Sequence, residues 1–582
     1  MKTEVIPEIE LVKQETLFDS GIKLVREKNG VFIYKVSLNS PIPVEPKPIK
    51  IRWKLPSINA KGVWKPGALH NKRQQYDWEL EHLHSRISVD APVISVFGHN
   101  DHNLITFACS DAINLLELNA LLREENNHLY CHISFFTERH PAIQNYEAYL
   151  RIDYRPIIFS EAIESVAKWW EEFESLKPSI TPDLAKAPMY STWYNFHQDL
   201  DEDLLLQECK IAAEIGYELL LLDDGWQTMD TNRGYDYTGD WQPDRFPDMP
   251  GFVDKVHDIG MKLGIWFSVP FCGKKSKAYQ KFKGKFLTEN HRWAPVFDPR
   301  YPEVREYLIG IYKTALLEWN IDAFKLDFID DFKVYPETEL TKKNGRDFAN
   351  VNSAVDRLLS DVMDSLRKLK PDIAIEFRQK YIGPAMRKFG NMFRAFDCPN
   401  DPVTNRIRIT DVKLLCGNTA VHSDMLTWHP EEKAEIAALQ LLNAFFGVPQ
   451  MSIHLRHASE EHLEMITFYT NYWRKNSDII LAGKFTPINP LANYPILKTE
   501  KNGKSILGVY DDVVAAIVFE KQIDFLNAKF SENIIVRNTG TENEVNLHSF
   551  NCQGKLIFNQ KIILKKGINE LPVPPAGLLQ LK

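Results

Sequence analysis

Hydrophobic and polar residues follow three different patterns along the 582-residue chain. Over roughly the first 160 residues, apolar and polar positions alternate, for example at residues 31–38 and 87–96. Such alternation is typical of strands with one buried face, and helical periodicity is nearly absent there. It predicts an antiparallel β-sandwich over residues 1–160. A helical linker follows at 161–185, entered by a helix over about 160–174.

The middle of the chain, residues 186–478, has short apolar runs alternating with helical patterns. This arrangement is typical of repeated βα units and a parallel sheet. Eight such units predict a closed (β/α)8 TIM barrel. An open Rossmann-type sheet is the alternative, but no Gly-x-Gly-x-x-Gly motif follows any of the runs. The predicted strands are 187–194, 217–222, 262–269, 321–326, 372–377, 391–396, 419–423 and 448–453, and the helices between them include 201–215, 304–319, 351–368 and 431–446.

The last part of the chain, residues 479–582, returns to alternation. Asn502 and Gly503 form a typical hairpin turn between predicted strands at 494–499 and 505–510. A small C-terminal β-sandwich accounts for this pattern. The predicted fold is therefore multidomain, α/β plus all-β, with a central TIM barrel flanked by an N-terminal and a smaller C-terminal sandwich.

Composition excludes several classes of partner. The formal charge of -8 and the lack of a cluster of Lys or Arg argue against nucleic acid. No apolar run is long enough to span a membrane. The first ten residues are acidic and lack an apolar core, so we expect no secretory signal and a cytoplasmic location. Seven cysteines without a Cys-x-x-Cys pair predict scattered reduced thiols.

In a TIM barrel the active site lies at the carboxyl ends of the strands, which limits the candidates to a few residues. No Ser-His, Cys-His or metal-binding motif stands there, so we expect neither a metal nor a cofactor. Carboxylates with aromatic walls suit the hydrolysis of glycosides. The candidates are Trp193, Asp223, Asp224, Trp266, Lys325, Asp327, Arg378, Asp397 and Asp424, whereas His422 is interpreted as a buried, hydrogen-bonded histidine.

Two pairs of charged residues carry specific expectations. Lys325 lies two positions before Asp327 and should project to the same side of its strand. A cation there would keep Asp327 ionised, as a nucleophile requires. The alternatives are a helix N-cap for Asp327 and a Schiff-base aldolase built on Lys325. Adjacent Asp223 and Asp224 should repel each other unless a ligand binds there.

Five ordered segments carry a resemblance to the α-galactosidases of glycoside hydrolase family 36, in the clan that also holds family 27. The fifth resembles the family's Lys-Trp-Asp motif, with Leu326 in place of Trp. The segment 394–402 also resembles plant alkaline α-galactosidases and raffinose synthases. The five segments are Asp223-Asp224-Gly225-Trp226, Gly239-Asp240-Trp241, Gly264-Ile265-Trp266-Phe267, 298–305 and Lys325-Leu326-Asp327.

The resemblance implies a retaining α-glycosidase that needs no cofactor and acts on an oligosaccharide or glycoside. It gives Asp327 the role of nucleophile and Asp397 that of acid/base, with Asp401 as the fallback. It also implies carboxyl groups of Asp327 and Asp397 roughly 5–6 Å apart, against about 7–9 Å for an inverting enzyme. The implied sugar-binding residues are Asp223 and Asp224 for the O4 and O6 hydroxyls, Trp266 as the indole in the pocket, Arg300 and Lys325 as cationic donors, and Trp241 and Asp424 along the pocket wall.

The chain departs from the family at residues 376–383, where a Cys-x-x-Gly-rich segment commonly surrounds the C2 substituent of the sugar. Arg378 in that segment either pairs with Glu376 or a pocket carboxylate, or recognises an anionic sugar. The leading hypothesis is an exo-acting α-galactosidase. Alternatives are a raffinose-synthase-like transglycosidase, an α-N-acetylgalactosaminidase and a catalytically silent sugar-binding protein. The family also suggests a possible homo-oligomer, although the short N-terminal region argues against the tetramer often found there.

Overall fold

The computed structural model describes residues 8–13, 16–79, 81–232 and 234–582. Residues 1–7, on which part of the prediction about a secretory signal rests, lie outside that range. Among the described residues, no helix is both long enough and apolar enough to cross a membrane. All seven cysteines are free and buried.

The N-terminal region contains two six-stranded sheets that pack face to face. Trp53 of one sheet meets Phe107 of the other edge to face, with ring centroids 4.9 Å apart, which is a favoured aromatic geometry. The predicted sandwich is therefore present. The first sheet comprises Glu10–Lys13, Ile49–Pro56, His128–Phe135, Leu116–Arg123, Gln75–Tyr76 and Leu83–Ser85, and the second Asp19–Lys28, Val31–Val44, Ile143–Asp153, Asn103–Cys109, Val93–Gly98 and Ala60–Trp64.

The strand predicted at 87–96 is too long at its start, because the structure begins the strand at Val93. Asp90 has a φ of 49°, and Pro92 has no backbone N–H to donate to a ladder. Both features make residues 87–92 a turn. The connecting helix is Phe159–Trp170, slightly shorter than predicted, and the indole of its Trp170 donates to the carbonyl of Cys109 at 2.8 Å.

The centre of the chain is the predicted barrel of eight parallel strands. In chain order they are β1 (Met189–Ser191), β2 (Leu219–Leu222), β3 (Lys262–Ser268), β4 (Ala323–Asp327), β5 (Ala374–Arg378), β6 (Met392–Arg394), β7 (Ala420–His422) and β8 (Gln450–Met451). Neighbours in sequence are neighbours in the sheet, and β1 also pairs with β8. The amide of Val448 donates to Val421 at 2.7 Å, which links β7 to the segment entering β8. This closure rules out the open-sheet alternative.

The longer helices of the barrel region agree with the prediction to within a few residues. The strand predicted at 187–194 is shorter, because Trp193–Phe196 forms a short helix straight after β1. Trp193 therefore no longer follows the alternation of a strand. The longer helices are Glu202–Glu214, Met249–Ile259, Pro302–Trp319, Val351–Leu369, Pro402–Lys413, Ala434–Ala444 and Glu460–Ala482.

The C-terminal region holds a seven-stranded and a three-stranded sheet around one apolar core. The predicted hairpin is present between Ile496–Lys501 and Lys504–Val509. Its turn residues Asn502 and Gly503 both have positive φ, at 55° and 79°, as a type I′ turn requires. The division of the chain at residues 160, 185 and 478 stays a prediction. The strands of the larger sheet are Lys484–Ile488, Ile496–Lys501, Lys504–Val509, Gln522–Asn527, Leu578–Leu581, Asn543–Phe550 and Leu556–Leu564, and those of the smaller are Ala515–Ile517, Asn533–Asn538 and Gly567–Pro572.

Candidate active site

The carboxyl ends of the barrel strands carry a network of buried charges. Its members lie within the last three residues of β4, β5 and β6 or in the short segments that follow β2, β6 and β7. Such a concentration of carboxylates at this end of the barrel marks it as the candidate active site. The charged members are Asp223, Asp224, Lys325, Asp327, Glu376, Arg378, Arg394, Asp397 and Asp424.

Asp327 ends β4 and is held by three hydrogen-bond donors and one paired cation. Its Oδ1 atom lies 2.6 Å from Nε of Arg378 and accepts hydrogen bonds of 2.7 Å from both the amide of Phe328 and the hydroxyl of Tyr381. Its Oδ2 atom accepts a bond of 3.0 Å from the indole of Trp266. The carboxylate is therefore fixed in one orientation at the barrel mouth.

The electrostatic environment keeps Asp327 ionised. Burial alone would raise the pKa of Asp327, but the charges of Arg378 and Lys325, with the hydrogen bonds from Trp266 and Tyr381, lower it well below its usual range. The sequence analysis expected the Lys325 cation to keep Asp327 ionised, and its charge does lower the pKa of Asp327. The direct partner is Arg378, whereas Lys325 acts on Asp327 through its charge.

Lys325 instead pairs with Asp223, Nζ to Oδ2, at 2.6 Å. Its pKa is raised, because Asp223 and Asp327 outweigh the effect of burial. A Schiff-base lysine needs an accessible neutral amine and hence a lowered pKa. The geometry therefore argues against the aldolase alternative.

Asp224 is satisfied by amide groups. Gln198 and Gln227 each donate to its carboxylate at 2.7 Å, one to each oxygen. Burial, with a smaller contribution from Asp223, raises the pKa of Asp224 to about 7 despite these donors. Asp223 and Asp224 thus have partners within the protein, Lys325 and the two glutamines, although Asp223 still raises the pKa of Asp224.

Arg394, at the end of β6, connects three carboxylates. It pairs with Asp397 at 2.7 Å, with Asp424, and more distantly with Glu376 at 3.7 Å. Asp424 also accepts a hydrogen bond of 2.9 Å from the hydroxyl of Tyr194. Asp424 and Glu376 are fully buried, whereas the Asp397 side chain is 39% exposed. Asp397 is therefore the carboxylate of this group that is open to a ligand.

Burial would raise the pKa of Asp397, but Arg394, Lys325 and Arg378 lower it, so the side chain is an anion in the free protein. The fallback residue, Asp401, has a different role. It caps the helix Pro402–Lys413 by accepting from the amide of Thr404 at 2.9 Å. A carboxylate used as an N-cap is already engaged, which favours Asp397 as the functional one.

Arg378 pairs with Asp327 and not with Glu376. Its Nη2 also lies 3.5 Å from Asp330. The guanidinium sits over the rings of Phe328 and Phe396, at 4.7 and 5.0 Å from their centroids. The charge of Arg378 is thus partnered within the protein, which agrees with the interpretation that Arg378 pairs with a pocket carboxylate.

Three other predicted residues lie outside this network. Arg300 is 1% exposed and binds Asp298 twice, at 2.8 and 2.7 Å, together with backbone carbonyls. Trp241 is 3% exposed, stacks on Trp226 and meets Trp266 edge to face. Trp193 is half-buried beside His197. Trp241 thus contacts the site through Trp266, whereas Arg300 is held by Asp298 and backbone carbonyls.

Sequence reasoning gave no role to Tyr381, Gln198 and Arg394, which hold the site, and it named Glu376 only as a possible partner of Arg378. Glu376 lies two positions before Arg378, so the alternation of β5 could have pointed to it. Tyr381 and Gln198 lie in loops, where no periodic signal exists. Among the described residues, no group of three or more His, Cys, Asp or Glu side chains is placed to hold a metal ion.

The closed barrel and the carboxylates at its mouth are those of the (β/α)8-barrel glycoside hydrolases. Residues 178–483, just over half of the chain, match the protein family described as Melibiase. The chain therefore belongs to the melibiase family.

Curated relatives match a shorter stretch. A probable α-galactosidase G of Emericella nidulans is 27% identical over 157 residues, 24% of this chain and 22% of its own length. The α-galactosidase AgaA of Geobacillus stearothermophilus is 29% identical over 156 residues, 25% of this chain and 21% of its own length. The match thus spans about a fifth of the length of these relatives.

The fold similarity extends much further. The crystal structure of the same G. stearothermophilus enzyme, a family 36 α-galactosidase, superposes with a TM-score of 0.67. That superposition covers 99% of this chain and 89% of the other at 14% identity. The galactosidase domain of an α-galactosidase-sucrose kinase gives a TM-score of 0.66 and covers 96% of this chain and 79% of that domain at 13% identity. The overall fold is therefore shared with these structures.

Proposed function

We propose that this protein is a retaining, exo-acting α-galactosidase that releases terminal α-linked galactose from oligosaccharides. The observation that carries the proposal is the state of Asp327. It is an anion held at the barrel mouth by Arg378, Tyr381 and Trp266. A buried, ionised and oriented carboxylate is what nucleophilic attack on an anomeric carbon requires.

In the first step Asp327 attacks the anomeric carbon, and Asp397 gives a proton to the departing oxygen. In the second step water attacks the same carbon, Asp397 takes the proton, and Asp327 leaves. Arg394 favours the ionised form of Asp397 that the second step uses. The first step needs the protonated form, which becomes more favourable when a bound sugar excludes water from Asp397.

Asp223, Asp224 and Lys325 supply the hydroxyl-binding groups beside Asp327, and Trp266 forms one wall of the pocket. Solved structures of the related G. stearothermophilus enzyme contain 1-deoxygalactonojirimycin, raffinose or stachyose. These compounds support a galactoside as the substrate class. No step of the mechanism uses a cofactor.

The segment containing Arg378 leaves a second candidate, a retaining α-glycosidase with a different preference at C2, such as an α-N-acetylgalactosaminidase. A panel of nitrophenyl α-glycosides separates the two: galactoside, N-acetylgalactosaminide, glucoside and the related β-L-arabinopyranoside. We expect fastest turnover of the galactoside and none by Asp327→Ala. Parallel reactions with added sucrose or galactinol separate hydrolysis from transfer, since a raffinose-synthase-like enzyme would form a new oligosaccharide. No turnover of any of these compounds would refute the proposed function.

A further inference from the structure

We propose that Tyr381, together with Arg378, positions the nucleophile so that Oδ2 of Asp327, and not Oδ1, attacks the sugar. The inference rests on the proposed function, because it assigns a task to residues around the proposed nucleophile. Neither residue touches the reacting carbon in this scheme. Both act through Asp327 and are positioning residues.

The hydroxyl of Tyr381 has only one possible orientation in the observed contacts. Its oxygen accepts from Nε of Arg378 at 2.8 Å and shares the one amide proton of Phe328, at 3.0 Å, with Oδ1 of Asp327. A tyrosine hydroxyl has one proton to give, and the remaining neighbour is Oδ1 of Asp327 at 2.7 Å. The proton therefore points at Asp327 and fixes the plane of its carboxylate.

The surroundings of Tyr381 keep this donor in place. The side chain is fully buried, and its ring lies edge to face with Phe377 at 5.9 Å. Burial and the charge of Asp327 raise the pKa of Tyr381 well above its usual value, although Arg378 opposes them. Tyr381 thus stays protonated, and a donor, at neutral pH, where Asp327 is ionised.

The two oxygens of Asp327 differ in how many donors they meet. Oδ1 accepts hydrogen bonds from Phe328 and Tyr381 and lies 2.6 Å from Nε of the Arg378 cation, whereas among the contacts of the described residues Oδ2 accepts one hydrogen bond, from the indole of Trp266. An oxygen with two hydrogen bonds and a paired cation has few lone-pair directions left for a new bond. Oδ2 is therefore the better nucleophile.

The hydrogen bonds to Oδ1 of Asp327 can also be kept in the glycosyl-ester intermediate. A lone pair of Oδ2 forms the bond to the anomeric carbon, while the bond to the leaving oxygen breaks and its electron pair takes the proton of Asp397. Oδ1 then becomes the carbonyl oxygen of the ester and keeps its donors. When water attacks, Asp397 accepts the water proton, and the electron pair of the ester bond returns to Oδ2.

The experiment compares Tyr381→Phe with a matched control, Tyr472→Phe. Tyr472 is also a buried tyrosine that donates to a buried carboxylate, that of Asp524 at 2.5 Å, but it lies between the last barrel helix and the C-terminal sheet. Both variants are assayed with nitrophenyl α-galactoside across the acid limb of the pH profile. Thermal unfolding is recorded in parallel.

For Tyr381→Phe we expect kcat to fall about tenfold to a hundredfold, because a hydrogen bond to a charged group is lost. KM should change little, because the hydroxyl of Tyr381 is engaged by Arg378, Phe328 and Asp327 and acts in this scheme on the nucleophile. The acid limb should move to higher pH, because losing a donor raises the pKa of Asp327. Tyr472→Phe should unfold at a lower temperature with kcat and the acid limb unchanged.

The inference is overturned if Tyr381→Phe keeps the wild-type kcat and acid limb, or if Tyr472→Phe changes them equally. If Tyr381→Phe does not fold, Arg378→Gln takes its place, and an unmoved acid limb in that variant overturns the inference. Asp327→Ala separates the two levels. If Asp327→Ala is inactive and Tyr381→Phe is unaffected, only the positioning role of Tyr381 is refuted. If the wild type is inactive, or if Asp327→Ala is active, the proposed function is refuted as well.

Discussion

Replacing Arg378 by Met removes the cation nearest to Asp327 while keeping much of the apolar bulk of the side chain. Nε of Arg378 lies 2.6 Å from Oδ1 of Asp327, and each side chain is only 10% exposed. The rings of Phe328 and Phe396, which flank the guanidinium, can still pack against the thioether of Met. The substitution therefore perturbs charge more than packing.

Removing one partner of a buried ion pair costs about 3–5 kcal/mol, because the other charge is left without compensation. Asp327 has a lowered pKa in the folded protein. Its interactions therefore stabilise the fold above the pKa of an unfolded aspartate, and that stability is lost as the pH falls through the folded pKa. Without Arg378, burial raises the pKa of Asp327. The variant should lose about 3–5 kcal/mol of unfolding free energy near neutral pH, and less at low pH, where Asp327 takes up a proton.

The assay combines thermal unfolding at several pH values with kinetics on a plain aryl α-galactoside and on one carrying a carboxylate or sulfate. We expect equal losses of kcat/KM on both substrates and an acid limb moved to higher pH. The control is Arg357→Met, which breaks an exposed pair with Asp361 and should cost no more than about 1 kcal/mol. An unmoved acid limb would refute the reasoning about charge. A loss confined to the acidic substrate would show instead that Arg378 recognises an anionic sugar.

Three further predictions concern the same site. Asp401→Ala should cost about 0.5–2 kcal/mol of stability through the lost N-cap and leave kcat unchanged, whereas Asp397→Ala should lose most turnover of substrates with poor leaving groups. Thermal unfolding and kinetics of the two variants test these roles. An inactive Asp401→Ala would contradict them. Asp224 has a pKa raised to about 7, so between the pKa of an unfolded aspartate and about pH 7 the folded protein binds more protons than the unfolded chain, and it loses stability as the pH rises through this range. Asp224→Asn should remove this slope from a plot of unfolding temperature against pH, and an unchanged slope would contradict the assignment. Arg300→Lys should lower the unfolding temperature and leave KM unchanged, because Arg300 binds Asp298 and backbone carbonyls. A raised KM would instead favour the sugar-binding role implied by the family resemblance.

The barrel could be predicted because its strands are buried on both faces and appear as apolar runs, such as Leu219–Leu222, between amphipathic helices. The charged residues that end these strands could be found for the same reason. The residues with which they form ion pairs could not be predicted. Alternation places Lys325 and Asp327 on one side of β4, but it does not tell which carboxylate from the other strands lies nearest to each cation. The partner of Lys325 is Asp223, which follows β2, two strands away in the barrel.

Contacts made by loop residues could not be predicted from the sequence, for a related reason. Tyr381 follows β5 in a short turn, so no periodicity predicts that its hydroxyl meets Asp327. Asp401 is different, because Asp followed by Pro402 before a helical pattern is a known start signal for a helix. That signal was present in the sequence and indicates the N-cap role that the structure assigns to Asp401.

The central claim is that Asp327 is the nucleophile of a retaining α-galactosidase. A fluorinated α-galactosyl fluoride, which forms the glycosyl ester faster than water can cleave it, tests this claim by mass spectrometry of the intact protein and of its peptides. The proposed mechanism predicts one galactosyl adduct per chain, located on Asp327 and absent in Asp327→Ala. An adduct on another residue, or rapid turnover with inversion and no adduct, would contradict it.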